Sequence, residues 1–596
     1  MTEQYGVHLV GGEMFDWSDA DAGRPGGGAL ETLLQRVVPQ SGHVLVAGPH
    51  RDGLVDRLIE HCAQVTCLVR SLPDAQELGR RQAGTGRLTV LCGGLDKLGD
   101  AGPYDAVVAV GGLGPLATPD SSPLTWAQRL ERLFARLAPG GAVVIGVENR
   151  LGVQRLVDPG GPAADDEWLP GDLDDTVPAG PAELAARLAE SGRPVERCYA
   201  VFPGLVTPTV LVDADRLEER AGSDGVTGTL ISTALGGEFI GRHVLADPRR
   251  LARSALAQGL AARLAPAWIA VVGPAGEPPT GLVSDGGPDH WAATYELRDD
   301  HGRWERGEVR PSAQHGGGRV LRDPARLAGP VPSGRTLEES LLAACALSDV
   351  PAVRRLLGAY AGWLAGLAPG AMAFATLDNV VPDGDGFAVL DPSWELAGEV
   401  PFSLALARSL RRFAVGLIAG GQPHPWPGTL DLDGVAVTLL AMAGNPGDRA
   451  LLGRAVELEA EIEAAVRGLP AAEHARLLAE LRSGVVREPL GHREALTAHR
   501  RLADDLAAAR ARSEWLDATL KAKEAEYAKA AETAQGKLEE LRRQRREDQA
   551  EIKRLRQEVK VKEAQVKALR DSLSHRVGRL ATAPLRALRG VLRRAR

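Results

Sequence analysis

The chain has 596 residues, 44% of them hydrophobic and 25% charged, which is enough for about four units of ordinary size. A net charge of −8 and a pI near 6.0 argue against a general nucleic-acid binder, although the average hides a basic C-terminal end. Five cysteines, Cys62, Cys67, Cys92, Cys198 and Cys345, form neither a CxxC pair nor a zinc-ligand cluster and suit a reducing compartment, so a cytoplasmic protein is expected. Residues Met1 to Val10 lack the basic and apolar regions of a signal peptide.

After the glycines Gly26 to Gly28, a helical pattern from Leu30 to Val38 leads to an apolar strand, His43 to Ala47, that stops at Gly48. Further strands are expected at Val65 to Val69, Leu88 to Cys92, Asp105 to Val110 and Ala142 to Val147. Helices such as Leu54 to His61 and Trp126 to Leu137 lie between them. This alternation implies an α/β fold, a parallel sheet with helices on both faces. Extended segments near Tyr199 to Phe202 and Thr209 to Asp213 are expected to close it.

The turn "HVLVAGPHRDG", the strand "YDAVVAVGG" and the segment "LFARLAPGGAVVIGVENRLG" resemble, over residues 25–215, a Rossmann-like class I S-adenosylmethionine-dependent methyltransferase. The "ENRLG" end is similar to a subgroup that works on bacterial surface polysaccharides. The resemblance implies S-adenosylmethionine as cofactor, held at a first turn that in this family is GxGxG. Here Gly48 stands, with His50 and Asp52 in the other two places, and Val69 replaces the acidic residue expected to accept from the ribose hydroxyls. Glu148 and Asn149, at the end of the fifth strand, are the best placed polar pair for catalysis.

From 222 to 420, strands are expected at Thr227 to Ser232 and Trp291 to Leu297. Helices are expected at Arg249 to Leu264, Leu337 to Leu347 and Ala352 to Leu367. The uncharged run Leu356 to Leu377 has the length of a membrane span, but Pro369 and Gly370 break it and a soluble helix explains it better. The segment "LDNVVPDGDGFAVLDPSWELAGEVP" resembles the C-terminal half of an α+β kinase-like fold of the aminoglycoside-phosphotransferase type. That resemblance assigns Asn379 and Asp391 to magnesium on nucleotide phosphates. Phe374 stands where the catalytic aspartate belongs and Arg310 is the nearest substitute for the phosphate lysine, so the expected domain is degenerate, with magnesium bound only if it is active.

A helical segment, 430–488, and a hinge at Pro489 to His492 precede a coiled coil over 496–573. Ile552, Leu555, Val559, Val566, Leu569 and Leu573 hold an a/d register that Lys562 interrupts. Leu502, Leu506, Ala509, Leu516, Leu520 and Tyr527 follow a different phase, which implies a four-residue stutter near Ala534 to Leu538. The tail, 576–596, carries seven arginines and no acidic residue, and from Pro584 it reads as a basic amphipathic helix suited to an anionic membrane surface.

The order of parts is similar to that of the kinase/methyltransferases that terminate O-antigen chains. It implies methyl transfer to a cell-surface glycan, or its lipid-linked precursor, at the cytoplasmic membrane face. The expected partners are a second copy through the coiled coil, glycan or glycosyltransferase machinery, and an anionic membrane; nucleic acid is not expected. The alternative is a non-enzymatic oligomeric scaffold built from degenerate methyltransferase and kinase folds.

Overall fold

The computed structural model describes residues 6–99 except 21–22, residues 101–158, and 174–219 except 191 and 194. It further describes 225–483, apart from 241, 243, 274–275, 286–290, 301–302, 312–317, 385, 420–421 and 427–429, and 492–581 except 575 and 579–580. The chain divides into two units, Met1–Ala498 and His499–Arg596.

The first unit is organised by a thirteen-stranded sheet. In chain order its strands are β1 (Val7–Gly11), β2 (His43–Ala47), β3 (Gln64–Val69), β4 (Leu88–Gly93), β5 (Tyr104–Ala109), β6 (Leu137–Glu148), β7 (Val195–Phe202) and β8 (Val210–Asp213). They continue as β9 (Ala267–Val272), β10 (Gly281–Ser284), β11 (Ala293–Asp300), β12 (Arg303–Pro311) and, after β13 (Val320–Arg322), β14 (Gly329–Pro330). Across the sheet they run β1-β4-β3-β2-β5-β6-β9-β7-β8-β10-β11-β12-β14. The strands from β1 to β6 pair in parallel, whereas β9 is antiparallel to both β6 and β7.

The sequence dictates this layering through strands that are apolar on both faces. In β2, Val44 and Val46 join a core with Leu30, Leu33, Leu54 and Leu58 from the helices Gly28–Val37 and Asp52–His61. The alternate residues Leu45 and Ala47 join the opposite core with Trp126, Leu130 and Leu133 from the helix Trp126–Phe134. That helix starts at a capping box in which Thr125 and Gln128 satisfy each other's backbone N–H.

The pair near Tyr199 and Thr209 does not close the sheet, because β9 inserts between β6 and β7 and the antiparallel strands continue to β14. The expected boundary between 215 and 222 therefore falls inside one continuous sheet. Thr227 to Ser232, expected as a strand, lies in the helix Gly225–Glu238. Its β-branched residues suggest a strand, but Ile231, Leu235 and Phe239 return every four residues and are buried, so the helical period prevails.

A second core gathers Leu341, Leu357, Tyr360, Leu410 and Leu439 from the helices Leu337–Ala346, Val350–Leu364, Phe402–Ala419 and Leu432–Met442. Pro351 sits in the first turn of its helix, where its missing N–H costs nothing. Within this core lie the short hairpin β15 (Val380–Asp383) with β16 (Gly386–Val389) and the strand β17 (Trp394–Leu396), which pairs with β13. Among the described residues no helix is long and apolar enough to cross a membrane.

The span expected as a coiled coil, 496–573, lies up to Asp571 within one helix, His492–Asp571, of 80 residues. The segment from Pro584 and the hinge before His492 lie outside the described residues.

Candidate cofactor crevice

From β2 the chain winds outward to β3 and β4, then returns to the other side of β2 for β5 and β6. The crevice between the C-terminal ends of β2 and β5 is thus the topological switch point, the general ligand site of open α/β sheets. Gly48 ends β2 with φ 96° and donates its N–H to Leu68 O at 2.8 Å. That conformation favours glycine, so this part of the first turn is retained.

His50 is buried, 5% exposed, with Nδ1 3.0 Å from Gly48 O. A carbonyl only accepts, so Nδ1 carries the hydrogen and Nε2 presents a lone pair, which has no partner. Burial pushes its pKa down to about 4, against a smaller opposing effect of the Gly48 carbonyl. Asp52 opens the helix Asp52–His61 and is half exposed; it pairs with Arg81 and lies 3.9 Å from Arg24. Its carboxylate is held by these arginines, and the residue also lines the small cavity beside Gly48.

An element unexpected from the sequence crosses this site. Beyond β1, residues 12–20 and 23–27 form an arm over the ends of β3, β2 and β5. Met14 donates to Arg70 O at 2.9 Å and accepts from Leu72 N–H at 3.0 Å, so the arm pairs with backbone just past β3. Arg70, 2% exposed, holds Asp19, 1% exposed, through Nε at 3.0 Å and Nη2 at 2.7 Å, and donates to Ala117 O at 3.2 Å. The Arg70 guanidinium also lies 5.4 Å from the centre of the Trp17 ring. Arg24 binds Asp74 at 2.7 Å. Pro25 O accepts the Arg51 N–H at 2.8 Å, and a Cβ placed on Gly111 would stand 3.3 Å from Pro25 Cγ. The arm thereby seats on the switch point itself.

Beside Gly48, His50, Val69 and Asp74 a cavity of about 30 Å³ remains, and a separate one of about 290 Å³ opens along the arm, lined by Gly12, Met14, Trp17 and Asp120. Pockets for drug-sized ligands start at about 300 Å³. With Val69 offering no acceptor and the arm in place, the residues present do not fit S-adenosylmethionine in this arrangement. Asp96, just past β4, is the polar group that sequence reasoning missed here. Burial pushes its carboxyl up, but hydrogen bonds from Ser122 N–H at 3.0 Å and Ser121 Oγ at 2.8 Å, with Lys97 nearby, hold it below the usual range.

The two proposed catalytic residues do not converge. Asn149, 3% exposed, donates from Nδ2 to Arg263 O and Ala265 O, both at 2.8 Å, and accepts from Leu151 N–H at 2.9 Å. Its amide fastens the end of β6 to the segment entering β9. Glu148 points the other way, 61% exposed, and pairs with Arg155 at 3.0 Å.

The residues assigned to magnesium are adjacent but occupied. Asn379 donates to Phe374 O at 2.9 Å and Asp391 O at 3.1 Å, and accepts from the Asp391 N–H at 2.8 Å. The Asp391 carboxylate accepts from Ser393 N–H at 2.9 Å and from Trp394 Nε1 at 3.1 Å. Phe374 stacks on Trp394 with ring centres 5.8 Å apart. This is a hydrogen-bonded turn around the hairpin of β15 and β16. Among the described residues no group of three or more His, Cys, Asp or Glu side chains could hold a metal ion. Arg310 lies on β12, with its side chain outside the described set.

No family model matches the chain, and no curated protein matches it. Among solved structures, it is similar to the N-methyltransferase NodS from Bradyrhizobium japonicum WM9 in complex with S-adenosyl-L-homocysteine, at 16% identity and a TM-score of 0.17. The match spans 20% of this chain and 60% of that one, so the chain covers less than two thirds of NodS. It is also similar to a putative methyltransferase in complex with the Haloferax volcanii Trm112 methyltransferase activator, at 17% identity over 41% of this chain and 88% of that one, with a TM-score of 0.26. A third is the glycopeptide N-methyltransferase MtfA complexed with sinefungin, at 18% identity over 22% of this chain and 57% of that one, with a TM-score of 0.18.

Proposed function

We propose that this chain is a non-catalytic oligomeric module: an α/β head of methyltransferase type, closed at its ligand crevice by its own N-terminal arm and carried on a long helix. It would serve as a docking scaffold for the glycan-assembly machinery that the sequence resemblance implies. The observation that carries this reading is the arm, zipped to Arg70 and Leu72 and pinned by the Asp19 and Arg70 pair, with about 30 Å³ left beneath it. Opening the crevice separates the Asp19 and Arg70 pair and the backbone bonds of Met14 to Arg70 and Leu72. Titration of the full chain with S-adenosylmethionine and S-adenosylhomocysteine by calorimetry tests it. No heat up to millimolar ligand is expected, and a dissociation constant below about 1 mM, or −4.1 kcal/mol, overturns it.

The second reading is an S-adenosylmethionine-dependent methyltransferase acting on a cell-surface glycan or its lipid-linked precursor, with the arm as a lid. The positive φ of Gly48 and the unpartnered Nε2 of His50 favour it. The variant Asp19→Ala separates the two: cofactor binding that appears only in this variant supports the lid, and none in either protein supports the closed module.

A further inference from the structure

The helix His492–Asp571 leaves a row of apolar side chains uncovered within one copy. Leu520, Leu541, Ile552, Leu555, Val559, Val566 and Leu569 are each 45–62% exposed, and Tyr527 and Leu573 more so. A lone helix gains nothing by exposing such a seam, and the seam's own polar residues indicate what covers it. Carrying the register of Ile552 at a and Leu555 at d backwards puts Arg545 at a and Asp548 at d, in the middle of the row.

A parallel pair in register sets a against a and d against d. Arg545 then meets its own copy, and so does Asp548, three residues further on. Its flanking e and g positions add Glu558 against Glu563 and Lys537 against Arg542. With Lys562 at d and Glu524 at a also facing their own copies, six like-charge contacts stand against one favourable pair, Glu551 with Arg556.

Reversing one helix changes every one of these contacts. About a two-fold axis between Arg546 and Glu547, a faces d, and each Arg545 meets the partner's Asp548. Moving outward, Ile552 meets the partner's Leu541, Leu555 the partner's Leu538, Val559 the partner's Ala534, Val566 the partner's Tyr527 and Leu573 the partner's Leu520. Lys562, which interrupts the seam, falls opposite the partner's Ala531, where its stem has room. Lys537 now faces the partner's Glu558. The reversed alignment has its own defects, Leu569 opposite the partner's Glu524 and Arg570 near the partner's Lys521, both toward its ends. In this alignment a single phase runs from Leu520 to Leu573, so no stutter is needed between them.

We infer that residues 520–573 form an antiparallel homodimeric coiled coil whose two-fold axis passes between Arg546 and Glu547. The partner is a second copy of this chain, and its reversed direction is chosen by the charged layers, above all the central exchange of Arg545 and Asp548, since the apolar layers find apolar partners in either direction.

Two measurements on the full-length chain test this. A nitroxide on Lys529→Cys, at an outward f position, lies about 50 Å along the axis from its counterpart in the antiparallel dimer, and at about helix-pair spacing, 10–25 Å, in a parallel one. The chain without that substitution supplies the background from the native cysteines. Pulsed dipolar spectroscopy is expected to give the long distance. The short distance, or no intermolecular distance because the seam takes a different partner or none, overturns the inference.

In the second measurement, Arg545→Asp and Asp548→Arg alone are each expected to weaken dimerisation at least tenfold in sedimentation, and the double variant to restore it. A double variant no tighter than the single ones sinks the charge exchange.

Discussion

Asp19 and Arg70 are among the most buried charges in the protein and neutralise each other, with Trp17 Nε1 donating to Asp19 and Ala117 O accepting from Arg70 beside the pair. Removing Asp19 leaves the Arg70 charge buried without its carboxylate, so Asp19→Ala is expected to lower stability by about 3–5 kcal/mol, read from urea unfolding. His50 makes a different prediction. Its imidazole titrates near 6.5 when unfolded and near 4 when folded, so between those values the unfolded chain binds a proton that the native one does not. Stability is therefore full above pH 6.5 and falls as the pH drops to 4, by about 3 kcal/mol. His50→Gln is expected to flatten that stretch of the pH profile, measured by urea midpoints at pH 7 and 4.5. The sequence made His50 and Val69 visible as departures from a glycine turn and an acidic strand end. It could not show that His50 is sealed in by burial, because the arm's residues have no periodic pattern that fixes where they land. Asn149 was legible as a polar residue at a strand end; only the non-local carbonyls of Arg263 and Ala265 decide that its amide is structural.

At the scale of elements, close approach of backbones decides more than propensity. Gly146 in β6 has no room for a side chain, since a Cβ there would stand 2.0 Å from Val110 O. Gly146→Ala must push β6 away from the chain leaving β5, and we expect it to leave little folded protein, judged by loss of a cooperative melting transition relative to the wild type. Strands β2 to β6 were legible because short apolar runs ended by glycine or polar turns alternate with helical periods, and that signal is local. The strand Ala267–Val272 was not among the expected elements. Which strand it joins was not legible, because its pairing with β6 spans more than a hundred residues and leaves no trace in local spacing. The same cause moved the apparent end of the first unit. In the helix Gly225–Glu238 local propensity pointed the wrong way, and burial of Ile231 and Leu235 overrode it.

For the whole molecule, the dimer inferred from the helix predicts a mass of twice 62.9 kDa by light scattering. We also propose that the basic residues of 576–596 hold the protein at anionic membranes. Deleting Pro584 to Arg596 is expected to reduce sedimentation with phosphatidylserine vesicles, and unchanged association would count against that role. The placement of β9 also bears on the birth of the protein. When β6 leaves the ribosome its outer edge has no neighbour, and the strand that covers it is more than a hundred residues away. At about 5–20 residues per second, that edge waits on the order of ten seconds for its partner. A nascent chain stalled between Glu148 and Ala267 would display an unpaired apolar strand, so translation speed across this stretch becomes part of what keeps the protein soluble.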